Sequence, residues 1–186
     1  MRKERSYEGE LMKKGKENEE ILKQWLLSSQ KIKEIIDFRE FRLAQRIDVD
    51  FGIETIDGNI VLAEIKSDNY ISEKGNLCFE VYRINHYAKN NWFYLGWGWR
   101  SPAKMLIVRN PKTNTIFIFD FFKLRSFIGK WISEMGSKLM YETIKTKNGI
   151  RTKHQIVIET DQEKTTFNYL IPMLDLKEYY SIKTIQ

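Results

Sequence analysis

The sequence predicts an α/β or α+β fold with a mixed central sheet flanked by helices, and three observations carry that expectation. An amphipathic helical pattern opens the chain, a β-hairpin with an Asp57-Gly58 turn follows it, and a second amphipathic helix interrupts a later series of apolar strands. With 186 residues, 42% of them apolar and 13% aromatic, the chain suits a single domain over residues 1–186 with its own core. That core is expected over about 7–136, with 137–186 adding a C-terminal hairpin and tail.

From Tyr7 to about Ser29, Leu11, Ile21, Leu22, Trp25 and Leu26 recur at three- and four-residue steps, the period of a helix with one apolar face. Gly15 weakens it locally. "KIKEIIDF" reads as a short strand, whereas "REFRLAQR" has no period that assigns it to either class. The hairpin then runs from Ile47 to Thr55 and from Asn59 to Lys66, because Asp-Gly favours the tight turn that joins two antiparallel strands. After the polar connection "SDNYISEKGN", "LCFEVYRI" is a strand and "NNWFYLGWGWRSP" a loop or bent strand. "KMLIVR" and "TIFIFDF" are two strands about an Asn110–Asn114 turn that contains Pro111. A helix through "FKLRSFIGKWISEM" follows, capped by Asp120, with Phe121, Leu124, Ile128 and Trp131 as its buried stripe. "ETIKT" and "HQIVIET" form a second hairpin around Asn148-Gly149, and the tail, "TTFNYLIPMLDLKEYY", ends in a short helix or irregular strap.

Composition narrows the function classes. Thirty-one Lys and Arg against 25 Asp and Glu leave a formal charge of +6, which suits a polyanionic partner. Cys78 is the single cysteine, so no intrachain disulfide forms and no Cys/His set builds a structural zinc site. His86 and His154 stand apart, at no metal-ligand spacing, and read as surface residues. The opening segment has no apolar h-region, and no stretch approaches about 18 uninterrupted apolar residues, so a cytoplasmic protein without a leader or membrane span is expected.

The hairpin carries the chemistry. Alternation puts Val61, Ala63 and Ile65 on one face of its second strand and Ile60, Leu62, Glu64 and Lys66 on the other, so the latter face changes from apolar to charged along its length. The first strand offers Asp48 and Asp50 on one face, with Gly52 leaving open space beside them. Carboxylates that converge there repel one another, and a hard divalent cation with oxygen ligands, Mg²⁺ first, relieves that repulsion. Such an ion binds a phosphate oxygen and acidifies a water, while Lys66 orients that water or neutralises charge that develops on the phosphoryl group. That chemistry is phosphodiester hydrolysis.

Asp50, then "AEIKSD" with Glu64-Ile65-Lys66, preceded by a helix bearing "GKENEEIL", resembles the PD-(D/E)XK nuclease superfamily. "KSDNYISEKGNLCFEV" followed by "WFYLGW" and "AKMLIV" is similar to a phage and prophage group of endonucleases, and the likeness covers roughly Gly15 to Leu124. The resemblance implies a restriction-endonuclease-like fold and a Mg²⁺-dependent endodeoxyribonuclease, with Mn²⁺ able to substitute. By the same resemblance Asp50, Glu64, Ile65 and Glu80 hold metal, Lys66 serves the nucleophile, and Glu19 matches the family's helix glutamate. The partner is DNA, with RNA as the other substrate class, and cutting both strands of a duplex suits a homodimer.

Several residues carry two readings. Asp48 competes with Asp50, and no proline precedes either; Asp50 is preferred for its fourteen-residue interval to Glu64 and for Gly52 beside it. Asp175-Leu176-Lys177 repeats the acid-x-lysine spacing without an upstream acidic hairpin, which marks it as a decoy. Glu19 is either a solvated helix residue or, through the Leu22/Leu26 face, a site residue; Glu80 is a ligand or the partner of Arg83. Trp92, Trp97 and Trp99 stack on bases or pack in the core. Lys138, Lys145, Lys147, Arg151 and Lys153 track a phosphate backbone or form a solvated face. At the level of function, the alternative is a catalytically inactive nucleic-acid-binding or protein-interaction module on a nuclease scaffold.

Overall fold

A computed structural model describes residues 2–69, 71, 75–86, 92–135, 143–146, 149–152, 156–160 and 164–185. The fold is mixed α/β, and the chain divides into two compact units. The first comprises Met1–Asn69, Pro102–Asp120 and Tyr180–Gln186; the second comprises Tyr70–Ser101 and Phe121–Tyr179. Among the described residues, no helix is long and apolar enough to cross a membrane.

The first unit holds helices α1 (Arg2–Leu27) and α2 (Arg42–Arg46) and strands β1 (Ile32–Asp37), β2 (Phe51–Thr55), β3 (Ile60–Ser67), β6 (Met105–Asn110), β7 (Thr115–Asp120) and β12 (Tyr180–Thr184). Its sheet runs β1-β2-β3-β6-β7-β12 and is mixed, because β3 and β6 pair in parallel (Ile65 opposite Ile107) while every other neighbour is antiparallel. On α1, Asn18, Leu22 and Leu26 are buried at four-residue steps, and Leu22 and Leu26 pack on Phe51, Ile53, Ala63 and Ile65 from β2 and β3. Ile21, by contrast, is exposed. The segment without a sequence period, "REFRLAQR", contains the short helix α2, and "IDGN" makes the hairpin turn with Gly58 at φ 80°, a conformation that glycine adopts without strain.

The second unit holds strands β4 (Asn76–Asn85), β5 (Trp92–Leu95), β8 (Thr143–Thr146), β9 (Gly149–Thr152), β10 (Ile156–Thr160) and β11 (Lys164–Pro172), with helices α3 (Trp97–Arg100) and α4 (Phe121–Met135). Its sheet is antiparallel throughout, in the order β5-β4-β11-β10-β9-β8. The first half of the tail belongs to β11, and turns over 173–179 form the irregular strap expected at its end. Along α4, Phe121, Leu124 and Ile128 are buried, as the apolar period requires. Phe79 sits at 5.4 Å from Trp97, 5.3 Å from Trp99 and 6.4 Å from Phe121 between ring centroids. The glycines of "GWGWR" allow this nest: a Cβ on Gly96 would lie 2.4 Å from the Glu80 carbonyl oxygen, and one on Gly98 would lie 2.3 Å from the Phe79 ring. Packing, rather than exposure for base stacking, describes Trp97, and Trp99 leans on the same ring.

Candidate active site

Pairing between β2 and β3 begins at Phe51 opposite Ala63, so the Ile65 amide lies beyond the end of β2. Asp50 fills that gap: its Oδ2 accepts the Ile65 N–H at 2.7 Å, while its own N–H donates to the Ala63 carbonyl at 3.1 Å and its carbonyl accepts from Phe38 N–H at 2.9 Å. A backbone donor that would otherwise be unpaired thus fixes the carboxylate at the mouth of the hairpin. Asp48, half-buried two residues earlier, has left-handed backbone with φ 53°, which holds it in a turn before the strand rather than on β2 itself.

Strand alternation turns Ala63 and Ile65 into the core and puts Glu64 and Lys66 on the opposite face. Glu64 is only 1% exposed; its Oε1 pairs with Lys66 Nζ, and its Oε2 has no hydrogen-bond partner. Burial pushes the Glu64 carboxyl up to about 8; Lys66 opposes this, and Asp50 and Asp48 reinforce it. Asp50 is raised by burial against the pull of Lys66 and the Ile65 amide, with Asp48 raising it further. Glu19 of α1, half-buried, is raised first by its own burial and next by the charge of Asp50. Burial lowers Lys66, but Glu64, Asp50 and Asp48 together outweigh it and leave the ammonium favoured. One electrostatic neighbourhood therefore links Glu19, Asp48, Asp50, Glu64 and Lys66, residues brought together from α1 and the hairpin.

Two features of the neighbourhood differ from expectation. The space beside Gly52 is not open to a ligand: a Cβ there would meet the Phe38 ring at 3.0 Å and Ile36 at 3.4 Å, so the glycine makes room for Phe38. The second is Arg39, at the start of "REFRLAQR". Its Nε donates to Asp37 Oδ1 at 2.8 Å, its NH2 group reaches Asp37 Oδ2 and Glu20 (3.2 Å), and its NH1 group reaches Glu19 at 3.5 Å. The guanidinium also lies over the Phe51 ring, 5.1 Å from its centroid. Arg39 first, and Lys23 at 3.0 Å, hold the Asp37 carboxyl well below the usual carboxylate range. The only sequence signal for this clamp was Asp37 two residues before Arg39; its other partners lie twenty residues away.

The remaining expected residues belong to the second unit or lie outside the described residues. Glu80, 7% exposed, belongs to the second unit, where Arg83 donates to its Oε2 at 3.0 Å and its Oε1 has no partner. Lys145 and Arg151 lie on β8 and β9, while Lys138, Lys147, Lys153 and His154 are outside the described residues. Asp175 and Lys177 are exposed in a turn, and His86 Nε2 shares a hydrogen bond with Thr165 Oγ1 at 2.9 Å.

Among the described residues, no group of three or more His, Cys, Asp or Glu side chains stands gathered to hold a metal ion as it is. Asp50 gives one oxygen to the Ile65 amide and Glu64 gives one to Lys66. The donor set nonetheless suits a hard cation: carboxylate oxygens only, with Glu64 Oε2 buried and bare. No family model, curated protein or solved structure matches the chain.

Proposed function

We propose that the protein is a metal-dependent endonuclease that hydrolyses DNA phosphodiester bonds, with Asp50, Glu64 and Lys66 at its centre. The observation that carries this reading is the buried, half-satisfied Glu64 carboxylate within the field of Asp50 and Asp48. Mutually repelling carboxylates raise the energy of the ionised site, and a divalent cation is the partner whose charge relieves both at once. Asp50 and Glu64 would hold it, with Glu19 as the third carboxylate. Bound Mg²⁺, or Mn²⁺ in its place, supplies Lewis acidity toward a phosphoryl oxygen and a water.

The chain's own residues complete the chemistry. Lys66, whose Nζ pairs with Glu64, acts as a cation facing charge that develops on the phosphoryl oxygens. The Ile65 N–H orients Asp50, leaving Oδ1 for a ligand. The formal charge of +6 supports a polyanionic substrate.

One observation favours the alternative, an inactive binding module: the Lys66 ammonium already satisfies half of Glu64. Incubation of the purified protein with supercoiled plasmid and Mg²⁺ or Mn²⁺, beside Asp50→Ala and Lys66→Ala, separates the two. Cleavage by the unaltered protein alone supports the nuclease. Retention of plasmid without cleavage by all three proteins supports the module.

A further inference from the structure

The interior of the first unit contains a second polar device, on β6 opposite Ser67, the residue after Lys66. Arg109 of β6 is 6% exposed, and among the described residues no carboxylate lies within ion-pair distance of it. Its NH1 group donates to Asn18 Oδ1 of α1 at 2.8 Å, its NH2 group donates to Asn114 Oδ1 at 2.6 Å, and its Nε has no partner. Asn18 is 3% exposed and occupies the same α1 stripe as Leu22 and Leu26. A buried guanidinium paired only with neutral amides, with one donor bare, is a poor source of stability. Such groups are explained better by what they specify.

What Arg109 can specify is the placement of α1. The apolar contacts of Leu22 and Leu26 are non-directional, so they resist sliding of the helix along the sheet only weakly. The hydrogen bond to Asn18 is directional and has one donor site on β6. A slip of one turn moves the helix by about 5.4 Å and would set Gly15 or Lys23 where Glu19 stands. Glu19 is the residue immediately after Asn18, and its carboxylate feels Asp50 and Arg39.

We propose that Arg109 and Asn18 are positioning residues whose buried hydrogen bond sets the register of α1 on the sheet and so holds Glu19 within reach of Asp50. The use of Glu19 rests on the nuclease reading; the register itself does not. The test places spin labels on the full chain at Glu17→Cys and Asn59→Cys, both exposed in the first unit, with Cys78→Ser removing the native thiol. Pulsed electron–electron distances are measured in the parent, Arg109→Met, Asn18→Leu and Asn18→Asp, each checked for cooperative unfolding, and Mn²⁺ affinity is measured on the same proteins without labels.

The expected result is a single distance in the parent that broadens or shifts by about 5 Å in Arg109→Met and Asn18→Leu, with the melting temperature unchanged or higher in Arg109→Met, which removes the buried charge, and lower in Asn18→Leu, which leaves it a second bare donor. Asn18→Asp keeps the parent distance, because its carboxylate accepts the same bond. Mn²⁺ affinity falls about tenfold in the two apolar variants, and adding Glu19→Gln to Asn18→Leu costs no further affinity. An unshifted distance in both apolar variants overturns the inference; should Arg109→Met not fold, Asn18→Leu against Asn18→Asp decides alone. A parent protein that binds no Mn²⁺ while the distances move as stated overturns the nuclease reading and leaves the register role standing.

Discussion

The two units each bury a strand glutamate beside a cation, and the two pairs differ in what surrounds them. Glu64 and Glu80 are 1% and 7% exposed, one pairs with Lys66 and the other with Arg83, and each leaves one carboxylate oxygen bare. Around Glu80 the described neighbours are the Arg83 guanidinium and the Gly96 backbone, which packs on its carbonyl. Around Glu64 they are more acids, Asp50 and Asp48, and burial, reinforced by their charge against the pull of Lys66, pushes the carboxyl up to about 8. A buried ion pair is weak evidence for function, whereas like charges gathered beside one are a reason to look for a cation.

The sharpest way to break this contrast is cleavage. Asp50→Ala and Glu64→Ala are expected to lower the plasmid-cleavage rate by about 10³-fold, while Glu80→Gln stays within about tenfold of the parent. Equal losses at Glu64 and Glu80 in folded proteins would make both glutamates part of one catalytic set.

Stability is expected to reverse the ranking. Gly96→Ala drives a Cβ into the Glu80 carbonyl, 2.4 Å away, and should cost about 3 kcal/mol in urea unfolding. Gly52→Ala meets only the movable Phe38 ring edge at 3.0 Å and the Ile36 side chain, and should cost about 1 kcal/mol.

The pH dependence sharpens the Glu64 side. Its folded-state pKa of about 8 lies above the ordinary carboxyl value of 4.5, so its contribution to stability is complete below 4.5 and is lost as pH rises through 8. Metal-free protein should therefore weaken across that window. Glu64→Gln removes the ionisation and should stabilise the metal-free protein at pH 8 and have little effect at pH 4. By the same linkage Mn²⁺ must displace the Glu64 proton, so its affinity should rise with pH up to about 8. Calorimetry across pH 4–9 with and without Mn²⁺ measures both effects.

What was legible in the sequence follows the range of the interactions. The hairpin was readable because its turn residues are adjacent and its alternation is local, and from that alternation Glu64 and Lys66 could be placed on one face with Asp50 near them. Arg39 was not readable, since no short-range period describes "REFRLAQR" and its partners Glu19 and Glu20 lie on α1. The extent of the second sheet was hidden for the same reason: β4 pairs with β11, bringing Tyr82 opposite Phe167, and nothing local announces a partner that remote. Gly52 was misread because a missing side chain in sequence looks like free space, whereas in the folded chain Phe38 fills it.

The central claim is that Asp50 and Glu64 share a divalent cation, and anomalous diffraction from crystals soaked in Mn²⁺ tests it most directly. The expected map has a manganese peak within ligand distance, about 2.0–2.3 Å, of one oxygen from each carboxylate, with Lys66 drawn off Glu64. A well-ordered hairpin with Glu64 still bound to Lys66 at saturating Mn²⁺, or a peak that touches neither carboxylate, contradicts it.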